Sequence, residues 1–295
     1  MRTAKYLLLS MRPKQWIKNL FVFAGLIFSL NLFHSNNLQR TSAAFVLFSI
    51  VAGCVYIIND LVDMERDRCH PTKKERPLAA GKLSAATAVT FVTLVLPLCF
   101  IAAWMLNLKF TLLLAAYLVL QFFYSFMGKN IVILDVMLIA LGFVIRAAAG
   151  AYVIHINISH WLLICTLLLA LFLGFCKRRN ELQVRSAPNG KTRKVLDHYD
   201  IYLIDQMIAV VTASTLMAYI LYTISPDVVR KFHTKNLLFT VPMVLFGILR
   251  YLYLVHKRKS GESPEKMLLS DFPLLINIML WFITVLIVLY FPNIV

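Results

Sequence analysis

The stretch SAAFVLFSIVAGCVYIINDLVDMERD, residues 42–67, joins two signals that rarely share one segment. From Ser42 to Ile58 it carries no charge, and with the turn that follows it approaches the ~20 residues a helix needs to cross a bilayer core. It then runs straight into Asn59, Asp60, Asp63 and Asp67. At about 100° per residue these four side chains occupy about a quarter of the helix circumference, so they share one side. Carboxylates crowded at a membrane face repel one another unless a cation compensates them. The hard-oxygen donor set points to Mg²⁺, which commonly completes its shell with substrate phosphates. The bland alternative is a solvated helix end neutralised by Arg66 and Arg68. The one-sided spacing favours the metal.

Outward from this stretch the same texture repeats. Of the 295 residues 60% are apolar and 15% charged, against about a quarter charged in soluble domains. The apolar residues fall into runs at 20–34, 42–62, 84–106, 109–126, 131–154, 160–176, 203–225, 236–255 and 272–291. These predict an all-α polytopic membrane protein, with about nine transmembrane helices in a bundle enclosing a cytoplasm-facing active site. No repeat or low-complexity linker divides the chain, so residues 1–295 are expected to form one integral membrane domain. Within it, residues 1–19 read as a retained, basic, interfacial segment anchored by Trp16. The run Tyr6–Leu9 is too short for a signal-peptide core.

A net charge of +16 invites a nucleic-acid reading. The basic residues lie in short connections between spans instead, where a positive-inside bias and anionic headgroups account for them; no nucleic-acid partner is expected. Most of the 30 Lys and Arg fall before the first span or in 63–83, at Lys129, in 177–202 and in 256–271. The opposite side holds Arg40, Lys109, Arg230, Lys231 and Lys235. This asymmetry predicts a bacterial-type inner (plasma) membrane protein with a cytoplasmic N-terminus, an external C-terminus and an active site at the cytoplasmic face. The loop 226–235 is the one region that runs against it. The five cysteines show no CxxC pair, which argues against a zinc site or a disulfide framework.

Directly after the aspartates come Lys73, Lys74 and Arg76, in a loop stiffened by Pro71 and Pro77. Carboxylates to hold a metal, then cations to hold phosphate oxygens, are what a metal–diphosphate complex requires. His70 is open to a general-base or a merely hydrogen-bonding role. A second polar region follows the sixth span and offers Lys177, Arg178, Glu181, Tyr199 and Asp205. Asp205 enters an apolar span, which is costly unless it meets a cation or a polar cavity. Arg178 and Glu181 could equally be a helix-surface ion pair. Asp135 and Arg146 share one face of the fifth span but stand about 16 Å apart along it, too far to pair; for Arg146 the alternative to a substrate role is an interhelical tie. Lys14, Tyr124 and Lys129 complete the candidate substrate-binding residues, with Lys18 as a further cation near Lys14.

The segment NDLVDMERD resembles the first motif, NDxxDxxxD, of the UbiA superfamily of intramembrane prenyltransferases, with Asn59, Asp60, Asp63 and Asp67 all matching. RPKQWIKN (12–19), HPTKKERPLAAG (70–81), DVMLIALGFVIRAAAGA (135–151), KRRNEL (177–182) and LIDQM (203–207) extend the likeness to the decaprenyl-phosphate phosphoribosyltransferase branch. The superfamily's aromatic prenyltransferases carry a second DxxxD motif, which Asp197, Asp200 and Asp205 do not reproduce.

The resemblance implies Mg²⁺-dependent transfer of 5-phosphoribose from phosphoribosyl pyrophosphate (PRPP) to a polyprenyl phosphate, with release of pyrophosphate. In actinobacterial relatives the product serves cell-wall biosynthesis. On this reading Asp60, Asp63 and Asp67, with Asn59, hold Mg²⁺ and pyrophosphate. Lys73 and Arg76 take the donor phosphates, while Lys177, Arg178, Glu181, Tyr199 and Asp205 complete the pocket. The partners are then PRPP, the polyprenyl phosphate and the bilayer, and a homo-oligomer is compatible with the sequence. The rival activity is prenyl transfer from a diphosphate to an aromatic acceptor. A lipid transporter is disfavoured, because no paired Gly/Pro-interrupted spans are visible.

Overall fold

The apolar runs become helices whose ends are set by caps and by turns in the left-handed region. The computed structural model describes residues 2–69, 73–185, 194–257, 267 and 270–291. Among these every regular element is helical. They fall into two compact units, one of residues 1–126 with 145–158 and the other of 127–144 with 159–295.

The first unit begins with α1 (Arg2–Ser10), a 3-10 run Pro13–Phe21 and α2 (Val22–Ile27). It continues with α3 (Ser35–Val62), α4 (Met64–Arg68), α5 (Ala85–Leu106) and α6 (Leu108–Phe126). It closes with the second half of α7 (Leu134–Val153). The second unit takes the first half of α7, then α8 (His160–Arg185), α9 (Ile201–Ile224), α10 (Pro226–Phe232), α11 (Val241–Lys257) and α12 (Phe272–Tyr290).

Eight of the nine expected spans are helices long and apolar enough to cross a bilayer. The first, 20–34, is not. Its α-helical part ends at Ile27, because the chain closes there on a Schellman turn. Leu30 takes φ 62°, its N–H bonds the Ile27 carbonyl, and the Asn31 N–H reaches the Leu26 carbonyl. The second span begins earlier than expected, at Ser35.

Other ends follow local chemistry. Ser84 caps α5 by accepting from the Thr87 N–H, Asp200 caps α9 through Leu203, and Asp271 caps α12 through Leu274. Asn107 ends α5 in an extended conformation, and its side chain accepts from the Phe110 N–H at the start of α6.

In the first unit Val22, Leu26, Ala44, Phe48, Phe110, Leu114, Tyr117 and Ala149 form the main core. The small residues of RAAAGA in α7 permit this approach. A Cβ on Gly150 would lie 1.8 Å from the Val22 carbonyl oxygen, so any side chain there forces the two backbones apart. In the second unit Val136, Phe172, Cys176, Leu196, Tyr199, Ile204, Tyr251 and Leu254 pack together. The spans α5, α6 and α12 leave most of their apolar side chains uncovered, as a lipid-facing surface requires. By contrast α3 and α7 are the most enclosed. These are the spans that carry Asp60, Asp135 and Arg146.

Candidate functional site

The first cluster is built where α3 ends. The helix breaks at Asp63, whose ψ is near 5°, and α4 resumes at Met64. The helical hydrogen bonds nevertheless carry across the break: Asp63 N–H to the Asn59 carbonyl, 3.0 Å, and Asp67 N–H to the Asp63 carbonyl, 2.9 Å. The shared face read from the spacing therefore survives. Asp60 and Asp67 are buried, each 3% exposed, while the Asp63 side chain is 34% exposed.

Asp60 and Asp67 meet cations other than Arg66 and Arg68. Arg76 Nη1 donates to Asp60 Oδ1 at 3.0 Å and to Asp67 Oδ2 at 2.6 Å. Arg12 Nη2 donates to the same Asp60 oxygen at 2.5 Å, with its guanidinium over the Tyr56 ring. Arg12 itself sits in the left-handed region at φ 54°, an unusual conformation for this residue type. Arg68 pairs instead with Glu65, and Arg66 stands 4.0 Å from Asp63. For Asp60 and Asp67 the compensating cations are thus Arg12 and Arg76, while Asp63 keeps Arg66 beside it.

One guanidinium nitrogen bridges the two buried carboxylates, and the less buried Asp63 adds a further hard-oxygen donor beside them. The donor set therefore fits a divalent ion held by one or two carboxylates with substrate phosphates completing its shell. It does not form a closed protein cage: among the described residues no group of three or more His, Cys, Asp or Glu is gathered for a metal.

The second cluster lies around the end of α8. Asp135, completely buried in the first turn of α7, accepts from Arg178 Nε at 2.6 Å and from the Tyr199 hydroxyl at 3.0 Å. Tyr199 in turn accepts from the Ile133 N–H at 2.6 Å. Burial pushes the Tyr199 phenol up to about 12, with the Ile133 bond opposing and the Asp135 carboxylate adding to the rise. Tyr199 therefore keeps its proton and remains a donor to Asp135. Arg178 Nη1 also donates to Glu181 Oε2 at 2.6 Å, and Lys177 Nζ lies 4.0 Å from Glu181 Oε1. Arg178 is 1% exposed, so its pairing with Glu181 is not the surface ion pair that the sequence left open.

Asp205, one turn into α9, meets the cation its position required. Arg179 donates to both of its oxygens, and His256 Nε2 stands 3.7 Å away. Arg179 was not singled out from the sequence. Its neighbour Arg178 was, yet adjacent residues of a helix project about 100° apart and serve different partners.

Asp135 and Arg146 do not pair, as their spacing required. The Arg146 guanidinium donates to Asn19 Oδ1 at 2.8 Å and to the Tyr117 hydroxyl at 2.9 Å, and it lies over the Tyr117 and Phe48 rings. Asn19 bonds Ser49 as well, so these contacts are those of an interhelical tie. Lys14, Lys73 and Lys74 are exposed, and Lys129 and Tyr124 are partly so. His70 and Pro71 lie outside the described residues.

Between Arg179 and Glu181, Asn180 is 2% exposed, and among the described residues neither its amide nitrogen nor its oxygen finds a hydrogen-bond partner. Such an orphaned group costs about 1–3 kcal/mol. Asn180→Leu is expected to raise the thermal midpoint of the protein in detergent. A lowered midpoint would mean that the amide is satisfied by a buried water.

Among the described residues, eight apolar spans with two ionisable clusters built at their ends define a multi-pass membrane protein with polar chemistry at helix termini. The chain belongs to the UbiA prenyltransferase family, whose model matches residues 19–283. It is 32% identical over 295 residues to the decaprenyl-phosphate phosphoribosyltransferase of Mycolicibacterium smegmatis, covering 97% of this chain and 92% of that protein. It is 30% identical to the protein of the same name from Corynebacterium glutamicum, covering 95% and 86%. A UbiA homolog from Archaeoglobus fulgidus, solved with GPP and Mg²⁺, superposes with a TM-score of 0.71 at 20% identity, covering 97% and 99% of the two chains. That likeness establishes the fold.

Proposed function

We propose that this chain transfers 5-phosphoribose from PRPP to a polyprenyl phosphate of decaprenyl type and releases pyrophosphate. The observation that carries the reading is the KRRNEL cluster anchored on buried Arg178 and Asp135, in a chain alike over nearly its whole length to proteins named for that activity. A prenyl transferase acting on an aromatic acceptor would be expected to carry a second aspartate-rich motif in this region.

A phosphate oxygen of the lipid attacks the anomeric carbon of PRPP, the new C–O bond forms, and the bond to pyrophosphate breaks. The nucleophile is already ionised near neutral pH, since a phosphate monoester loses its second proton near pH 6. No strong general base is needed. The demand falls on the leaving group, whose growing charge must be neutralised. Asn59, Asp60, Asp63 and Asp67 would hold Mg²⁺, which when bound supplies that neutralisation. Arg76 and Lys73 supply positive charge to the donor phosphates. Arg12 joins them on the strength of its contact with Asp60. The bias of Lys and Arg among the connections supports a cytoplasmic active site and N-terminus.

The test is purified protein in detergent with Mg²⁺, labelled PRPP and a polyprenyl phosphate, followed by extraction of lipid. Label in the organic phase that disappears with EDTA supports the reading. Folded protein that transfers none, yet moves a prenyl group from a diphosphate to an aromatic acceptor, replaces it.

A further inference from the structure

We propose that Glu181 is the residue that recognises the donor sugar, its carboxylate accepting hydrogen bonds from the ribose 2- and 3-hydroxyls. This deepens the phosphoribosyl reading and rests on it.

Glu181 sits in the proposed pocket as an electrostatic anomaly. Both proposed substrates are polyanions, and a carboxylate presented to them repels every phosphate it meets. Glu181 is nonetheless the accessible end of an otherwise sealed network. Its side chain is 26% exposed, against 1% for Arg178 and 0% for Asp135. One of its oxygens, Oε2, is committed to Arg178. The other, Oε1, faces Lys177 Nζ at 4.0 Å, beyond direct hydrogen-bond length. A carboxylate oxygen has lone pairs to offer and needs donors. A polyprenyl phosphate ionised for attack offers none. PRPP carries two, the adjacent hydroxyls of its ribose ring.

The surrounding residues hold that carboxylate still. Arg178 is gripped by Asp135, Asp135 by Tyr199, and Tyr199 by the Ile133 backbone. Each of these is too buried to touch a substrate. They act as positioning residues that fix Glu181 through Arg178. Lys177, four residues earlier on the same helix face and 37% exposed, places a cation beside the carboxylate. A carboxylate for a diol and an ammonium for a phosphate match the two ends of a ribose 5-phosphate. A prenyl diphosphate has no diol, so this pair selects the sugar donor.

The test compares the wild-type chain with Glu181→Gln in detergent, using PRPP and its 2-deoxyribose analogue as donors and calorimetric titration of PRPP as a second readout. The wild type should prefer PRPP by at least about tenfold in kcat/KM, since a site that hydrogen-bonds a hydroxyl rejects the analogue lacking it. Glu181→Gln should raise the KM for PRPP about tenfold or more, shrink that preference, and leave the KM for polyprenyl phosphate unchanged. An unchanged preference in the variant would overturn the proposal. So would loss of Mn²⁺ binding, followed by EPR, because Glu181 would then be a metal ligand. A wild-type protein that neither binds PRPP nor transfers from it would defeat the phosphoribosyl reading itself, before the variant is compared.

Discussion

Asp63→Ala is expected to lower phosphoribosyl transfer by at least about a hundredfold while leaving the thermal midpoint of the protein nearly unchanged. The separation of activity from stability follows from how the three aspartates are held. Asp60 and Asp67 are buried and satisfy Arg12 and Arg76, so removing either also strands a guanidinium. Asp63 is one-third exposed, and Arg66 stands 4.0 Å from it. Its carboxylate contributes little to the fold and remains available to a metal–pyrophosphate complex. Losing one preorganised group that stabilises leaving-group charge typically costs a hundredfold or more. Asp60→Ala should therefore lose both activity and several degrees of midpoint. Label transfer and thermal unfolding, measured on both variants, check the contrast. Full activity in Asp63→Ala would remove that residue from the metal site.

Features set by the local geometry of one helix are legible in the sequence. Asn59, Asp60, Asp63 and Asp67 could be placed on one face because four-residue spacing is a property of the helix itself, and the bonds across the Asp63 break preserve it. Eight apolar spans were legible for the same reason: length and composition are counted along the chain. The end of α2 was not, because its left-handed residue is Leu30 where glycine or asparagine would have announced a turn.

Arg12 was missed because 48 residues separate it from Asp60, and only the fold brings them together. The partner of Asp205 was missed for a subtler reason. In KRRNEL two arginines stand side by side, and a sequence without coordinates gives no ground for sending one to α7 and the other to α9. Arg146 could be weighed as a tie or a substrate ligand, but Asn19 and Tyr117, to which it donates, are neutral and give no charge pattern to follow.

The other large effect is expected at the Asp135–Arg178 pair, where stability and donor binding should fall together. Arg178→Leu takes the guanidinium from a fully buried carboxylate that also accepts from the Tyr199 hydroxyl, and Asp135→Leu takes the carboxylate from a buried guanidinium that also meets Glu181. Breaking a buried pair from one side costs about 3–5 kcal/mol, because the survivor keeps its desolvation penalty without its partner. The double variant Asp135→Leu with Arg178→Leu removes both charges. It should be destabilised by clearly less than the sum of the singles, and thermal unfolding of all three variants measures that coupling. Additive losses would mean that the two side chains do not stabilise one another. Because Arg178 also anchors Glu181, the double variant should recover stability without recovering affinity for PRPP. A stable double variant with wild-type PRPP binding would show that the network serves the fold alone. A stable one that binds PRPP weakly would show that the buried charges are kept to orient the Glu181 carboxylate.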